Sequence, residues 1–231
     1  YNRYMHDYLG CIKAVDEAVG KLLKTLDDEG IAKDTLVVYC SDQGFYLGEH
    51  GWFDKRWIFE ESLRTPMLAR WPGVAKAGHV DENLTSVLDL AQTFLAAAGV
   101  PADPEMQGAS LLPLLKGEAP KDWRKAFYYE YYEYPSPHRV IPHYGVVTDR
   151  YKLARFYVPK ADGSTPDPDY WELYDREKDP QETRSFYADP AYADTVKRLT
   201  VELEKLRADL KVPDSPPKEA FGSLFMPPKK K

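Results

Sequence analysis

The residues with the most obvious chemistry stand at the end of an apolar run. Thr35-Leu36-Val37-Val38-Tyr39-Cys40 is followed directly by Ser41-Asp42-Gln43-Gly44. A carboxylate beside an amide oxygen is a hard-oxygen pair of the kind that holds Ca2+ or Mg2+. The same dipeptide also fits a plain Asx turn with Gln43 exposed. The next stretch, Gly44-Phe45-Tyr46-Leu47-Gly48-Glu49-His50-Gly51-Trp52-Phe53-Asp54-Lys55-Arg56, mixes glycines, aromatics and ionisable groups. An ordinary surface loop has no need of that mixture.

The elements that position these residues follow from periodicity. Tyr8, Ile12, Val15, Val19, Leu22, Leu23 and Leu26 recur at helical spacing, and Gly30 is a natural stop. The run from Thr35 to Cys40 is β-branched and aromatic on both faces, which suits a buried parallel strand. Ligands bind at the carboxyl ends of such strands in open α/β sheets, and Asp42 and Gln43 lie at one. A second strand is expected over 66–70 and a helix over 86–98, with Val87, Leu88, Leu90, Ala91, Phe94, Leu95 and Ala98 on its apolar face. Beyond 118–125 the pattern changes to short strands without intervening helices: Phe127 to Tyr132, Tyr144 to Thr148, Tyr151 to Phe156 and Trp171 to Tyr174. Antiparallel pairing follows from that order. A last helix is expected over 190–210, with Val196, Leu199, Leu203, Leu206 and Leu210 on one side. The expected organisation is a first domain over 1–120, a second over 121–212, and a disordered proline-rich tail over 213–231 that ends Lys229-Lys230-Lys231.

Composition bounds the rest. The 231 residues carry a net charge of −6, which argues against a nucleic-acid binder. No apolar run approaches the roughly 20 residues of a membrane span. Two cysteines, Cys11 and Cys40, make no disulfide framework. The opening residues Tyr1-Asn2-Arg3-Tyr4 already read as helix interior, so the expectation is that they continue from an upstream segment.

Ser41 to Arg56, taken whole, resembles the second signature of type I, formylglycine-dependent sulfatases. Glu60-Glu61-Ser62-Leu63-Arg64-Thr65-Pro66-Met67 is similar to the segment that follows it in that family. Tyr144 to Leu153 and Trp171-Glu172-Leu173-Tyr174-Asp175 resemble the family's small C-terminal subdomain. The resemblance implies an α/β fold: the C-terminal part of an alkaline-phosphatase-like parallel sheet, with a small antiparallel sheet and a helix after it. It implies Ca2+, or Mg2+ in its place, held by Asp42 and Gln43, and a sulfate oxygen contacted by Lys55. It implies sulfate-ester hydrolysis on a sulfated glycan or aryl sulfate, in the periplasm or outside the cell. A phosphonate or phosphate-ester hydrolase of the same superfamily and a non-catalytic binding fragment are the alternatives. The family's nucleophile is a formylglycine made from a cysteine in Cys-x-Pro-Ser-Arg, and neither Cys11 nor Cys40 has that context. The nucleophile and the other metal ligands are therefore expected from a missing N-terminal half, the principal partner of this chain.

Further residues have two readings each. His50 either lines the pocket or fixes the loop by a hydrogen bond. His138 and His143 either meet sugar hydroxyls and a leaving group or sit in an exposed loop. Arg56 and Arg64 either hold anionic substrate groups or pair with Glu60 and Glu61. The tyrosines from Tyr128 to Tyr134 either stack on a sugar or pack a strand face.

Overall fold

The computed structural model describes residues 1–134, 137–158 and 166–214. The expected disordered tail falls, from residue 215 onward, outside the described residues. The chain forms two compact units, one of residues 1–40 and 66–121, the other of 41–65 and 122–231.

The first unit opens with helix α1, Asn2–Asp28, which ends where Gly30 takes a φ of 70°. No residue of α1 is buried. Strand β1, Val37–Cys40, emerges from a 3-10 turn. Its partner within the unit is the strand Met67–Arg70, paired antiparallel with Val37 opposite Arg70 and Cys40 opposite Met67. This pair is antiparallel, and among the described residues no strand pair is parallel. An apolar run reports burial on both faces and carries no information about strand direction. The helix Asp89–Ala97 also differs from its expected packing. It buries Asp89, Gln92 and Thr93, while Leu88 and Phe94 stay exposed. The buried polar groups tie down the following loop: Asp89 accepts from the Ala109 amide at 2.8 Å, and Thr93 Oγ1 accepts from the Leu111 amide at 2.8 Å. Satisfied backbone donors of this kind offset the burial of polar side chains.

The second unit holds the segment of chemical interest. It begins with a short hairpin, β2 (Tyr46–Leu47) and β3 (Phe53–Asp54), followed by the one-turn helix α2, Glu60–Leu63. With β4 for Met67–Arg70, α3 for Asp89–Ala97 and α4 for Leu112–Lys116, the chain then enters a four-stranded sheet. Its strands are β5 (Ala126–Tyr131), β6 (His143–Thr148), β7 (Tyr151–Tyr157) and β8 (Asp169–Asp175), each antiparallel to the next in sequence order. Helix α5, Ala193–Asp209, covers one face with the fully buried Leu199 and Leu203, which pack on Val146, Leu153 and Leu173. The expected strands and last helix are all present.

The other face of the sheet is covered by the chain just after β3. Ile58 is buried against Val147, Ala154 and Phe156, with Trp57 and Leu63 beside it. Alternation along β6 and β7 explains the two cores: neighbours such as Val146 and Val147 point to opposite faces. Burying roughly one Ile side chain is worth on the order of 2 kcal/mol, so this packing is a firm base for the loop that carries Lys55.

Candidate functional site

Strand β1 ends at Cys40, and the Ser41 hydroxyl donates to the Gln43 carbonyl at 2.7 Å, which turns the chain. Asp42 is exposed and Gln43 half-buried. Neither side chain has a hydrogen-bond or ion partner among the described residues. Gly44 then passes against the backbone of α2. Its amide donates to the Ser62 carbonyl at 2.7 Å, and a Cβ there would stand 1.9 Å from the Glu61 carbonyl oxygen. Only glycine fits.

The β2–β3 hairpin returns the chain through the pairs Leu47–Phe53 and Tyr46–Asp54. Lys55 follows, so it comes back toward the Gly44 end. It lies between two residues in unusual conformations, Asp54 at φ 106° and Arg56 at φ 108°. Non-glycine residues at positive φ persist only where the surroundings over-determine them, and they gather at functional sites. Here the determinants are visible. The Arg56 amide donates to Ser62 Oγ at 3.2 Å, and the Tyr129 hydroxyl donates to the Arg56 carbonyl at 2.7 Å. Ser62 therefore holds both Gly44, next to the hard-oxygen pair, and Arg56, next to Lys55. Lys55 is half-buried and has no ion partner among the described residues.

A buried ion cluster fixes the next turn. Lys152, fully buried on β7, donates to the Ile58 carbonyl at 2.9 Å and pairs with Glu60 and Glu182, each at 2.8 Å. Glu182 also accepts from the Glu60 amide at 2.8 Å, and Arg176 pairs with Glu60 at 2.8 Å. Burial pushes the Glu60 carboxyl up, but Lys152 and Arg176 outweigh it and leave the group below its ordinary value. Burial wins at Glu182, which is raised despite Lys152. Sequence reasoning missed Ser62, Tyr129, Lys152 and Glu182 as site supports. Ser62, Tyr129 and Lys152 share a signal, a polar group on a packed strand or helix; Glu182 lies between β8 and the next helical turn and carries no such signal.

The other expected site residues separate into groups. Arg56 pairs with Asp54 and, at 3.3 Å, with Glu133 rather than with Glu60 or Glu61. His138 is part-exposed and reaches the same Asp54 carboxylate at 3.3 Å. Asp54 thus joins Arg56 and His138, and Arg56 in turn joins Glu133. The His50 ring stacks on Phe59 at 4.3 Å and lies 3.4 Å from Glu61, so it fixes the loop at a residue whose φ is 52°. His143 is placed in the core. It is fully buried among Trp57, Tyr129, Tyr131 and Phe156, and its Nδ1 lies 2.9 Å from the Ile141 carbonyl. The expectation that His143 meets substrate is corrected, because β6 turns its ring under Trp57. Burial lowers its pKa to about 4, so the ring is neutral near pH 7.

The donor chemistry of Asp42 and Gln43 fits part of a Ca2+ shell, which takes six to eight oxygens. Among the described residues no group of three or more His, Cys, Asp or Glu is placed to hold a metal. Two hard oxygens and an ammonium without an ion partner among the described residues thus stand on one segment that Ser62 anchors.

This mixed α/β layout is shared with solved structures of the alkaline-phosphatase-like fold. A family model described as N-sulphoglucosamine sulphohydrolase, C-terminal, matches residues 48–209, and the chain belongs to that family. An N-acetylglucosamine-6-O-sulfatase of Bacteroides thetaiotaomicron is 45% identical over 97% of this chain and 39% of its own length. A solved structure of a protein in complex with its substrate, D-glucosamine-2-N,6-O-disulfate, superposes with a TM-score of 0.81 at 45% identity, covering 91% of this chain and 42% of that one. A phosphonate monoester hydrolase of Agrobacterium radiobacter has a TM-score of 0.73 at 28% identity, covering 86% and 40%. The chain thus spans about two fifths of the length of these relatives.

Proposed function

We propose that this chain is the C-terminal portion of a sulfatase that hydrolyses the sulfate ester of a glucosamine-type sugar. The observation that carries the proposal is the Ser62 anchor, which holds the Asp42-Gln43-Gly44 corner and the Lys55 corner on one residue. In this reading Asp42 and Gln43 supply two oxygens to a Ca2+ ion, with Mg2+ as the alternative. The remaining ligands and the formylglycine nucleophile come from the upstream half of the enzyme. The cation would polarise the sulfate group and stabilise the ionised nucleophile.

Lys55 places its ammonium on a sulfate oxygen. Charge that builds up on the transferring group is stabilised by a donor fixed in advance, with no reorganisation during the step. Asp54 orients Arg56 and His138, which offer a guanidinium and an imidazole to the sugar. His50 serves the loop rather than the substrate. The sugar assignment is supported by the 45% identity to the glucosamine-directed relative over nearly the whole chain. An aryl sulfate remains within reach of the same chemistry. We also place the enzyme in the periplasm or outside the cell, the compartment that the family resemblance implies. No helix among the described residues is long and apolar enough to cross a membrane.

The test is an activity panel on the enzyme carrying its upstream half. Glucosamine 6-O-sulfate, a 2-O-sulfated uronic acid, an aryl sulfate and a phosphonate monoester are compared with and without added Ca2+. Preferred, Ca2+-dependent release of sulfate from the 6-O-sulfated sugar is expected. Preferred turnover of the phosphonate monoester would overturn the proposal.

A further inference from the structure

The conformation that presents Lys55 is unfavourable on its own. Two departures to φ above 100°, at Asp54 and Arg56, bracket the lysine. Such backbone survives when neighbouring groups hold it from more than one side. Arg56 is held at both of its backbone polar groups, one in each flanking peptide. Ser62 Oγ accepts its amide at 3.2 Å, and the Tyr129 hydroxyl donates to its carbonyl at 2.7 Å. Ser62 is buried on α2, and Tyr129 stands on β5. The two anchors come from elements that are themselves fixed. Glu60, at the start of α2, is tied to Lys152 and Glu182, and Tyr129 packs against His143 at 5.5 Å. The anchors sit on packed elements, and the two peptides that follow the lysine are each held by one of them.

We propose that Ser62 and Tyr129 are positioning residues for Lys55: their hydroxyls clamp the Arg56 backbone and so set where the Lys55 ammonium stands relative to the Asp42-Gln43 pair. The proposal rests on the sulfatase reading above. Both hydroxyls are engaged by the Arg56 backbone. Ser62 carries a second duty through its carbonyl, which holds Gly44. That bond survives a change of side chain, so Ser62→Ala loosens the lysine corner while leaving the corner of the metal pair in place.

The variants Ser62→Ala, Tyr129→Phe and the double change each delete one or both clamps without adding bulk. They are made in the enzyme with its upstream half, beside Leu203→Ala, a change in the α5 core far along the fold from the clamp. Three quantities are read: kcat on a 6-O-sulfated glucosamine, Ca2+ affinity, and amide exchange over residues 54–58. Each single variant is expected to lose about tenfold in kcat, since one misplaced contact is enough for such a loss. Ca2+ affinity should stay within about twofold of the parent, and exchange over 54–58 should quicken by about fivefold to tenfold for each deleted hydrogen bond. Leu203→Ala should speed exchange across the α5 core without singling out this segment.

A kcat within twofold of the parent in the double variant would overturn the assignment. So would a loss of Ca2+ affinity in step with kcat, which would mean general loosening. Lowered kcat with unchanged exchange over 54–58 would overturn it as well. A parent enzyme with no sulfate-ester turnover would instead overturn the proposed function, and this assignment with it. An active parent beside unaffected variants sinks the assignment alone.

Discussion

Burial of His143 makes stability depend on pH in a window where few other groups titrate. Its ring has a pKa of about 4 in the fold, against about 6.5 when unfolded. Between those values the unfolded chain binds a proton that the native state refuses. Stability is therefore highest above pH 6.5, falls as the pH drops toward 4, and levels off below. A shift of about 2.5 units corresponds to about 3 kcal/mol over the full window, and about 2 kcal/mol is already lost at pH 5. The perturbation is His143→Phe. A phenyl ring keeps the stacking on Trp57 and Phe156, seen at 5.3 Å and 5.0 Å, and removes the titration. It forfeits the Nδ1 hydrogen bond to Ile141, worth about 1 kcal/mol, and relieves the buried Nε2 that has no partner. The two changes nearly offset at pH 7.5. Urea unfolding of both proteins, followed by tryptophan fluorescence, is compared at pH 7.5 and pH 5. The variant should gain about 2 kcal/mol on the parent at the lower pH. An unchanged difference between the two pH values would refute the idea that burial keeps this ring neutral.

Other consequences can be checked by simpler means. Gly44→Ala should destabilise the chain by about 2 to 4 kcal/mol in chemical unfolding, because the new Cβ meets the Glu61 carbonyl and breaks the bond to Ser62. Asp175 accepts from Arg150 at 2.9 and 2.7 Å and from Tyr192 at 2.8 Å, and its carboxyl is held down at about 2. Its contribution is present above the ordinary carboxylate value and lost as pH falls from about 4 to about 2, so Asp175→Asn should flatten the melting temperature across that interval. Lys152→Met strips Glu182 of its cation and should cost about 3 to 5 kcal/mol at pH 7.5, the range for breaking a buried ion pair. The loss should shrink at lower pH as Glu182 takes a proton.

Much of this could be read from residue order. Alternation and turn residues placed all four strands of the small sheet, and the spacing of Leu199 and Leu203 gave the buried side of α5. Asp42 and Gln43 stand out by type and neighbourhood and Lys55 by the family resemblance, and the structure leaves all three without ion partners among the described residues. Other features depend on contacts between residues far apart in sequence. The hairpin Tyr46–Leu47 with Phe53–Asp54 is too short for any periodicity to show. The antiparallel pairing of Val37–Cys40 with Met67–Arg70 depends on direction, which apolar character does not encode. The polar burial on α3 and the Lys152 cluster arise because side chains satisfy distant backbone groups, Ala109 in one case and Ile58 in the other. The segment around His143 leaves open whether the ring meets substrate or lies in an exposed loop; β6 carries it instead into the core.

The measurement closest to the central claim is calcium titration beside steady-state kinetics on Asp42→Ala, Gln43→Ala and Lys55→Ala, in the enzyme carrying its upstream half. Asp42→Ala removes a charged oxygen ligand, so Ca2+ affinity and activity should fall together. Gln43→Ala should be milder, because water can replace a neutral amide oxygen. Lys55→Ala should bind Ca2+ as the parent does while turnover falls by about 10² to 10³, the usual loss for one charge-stabilising group. Turnover at the parent rate in Lys55→Ala, or parent Ca2+ affinity in Asp42→Ala, would contradict the account.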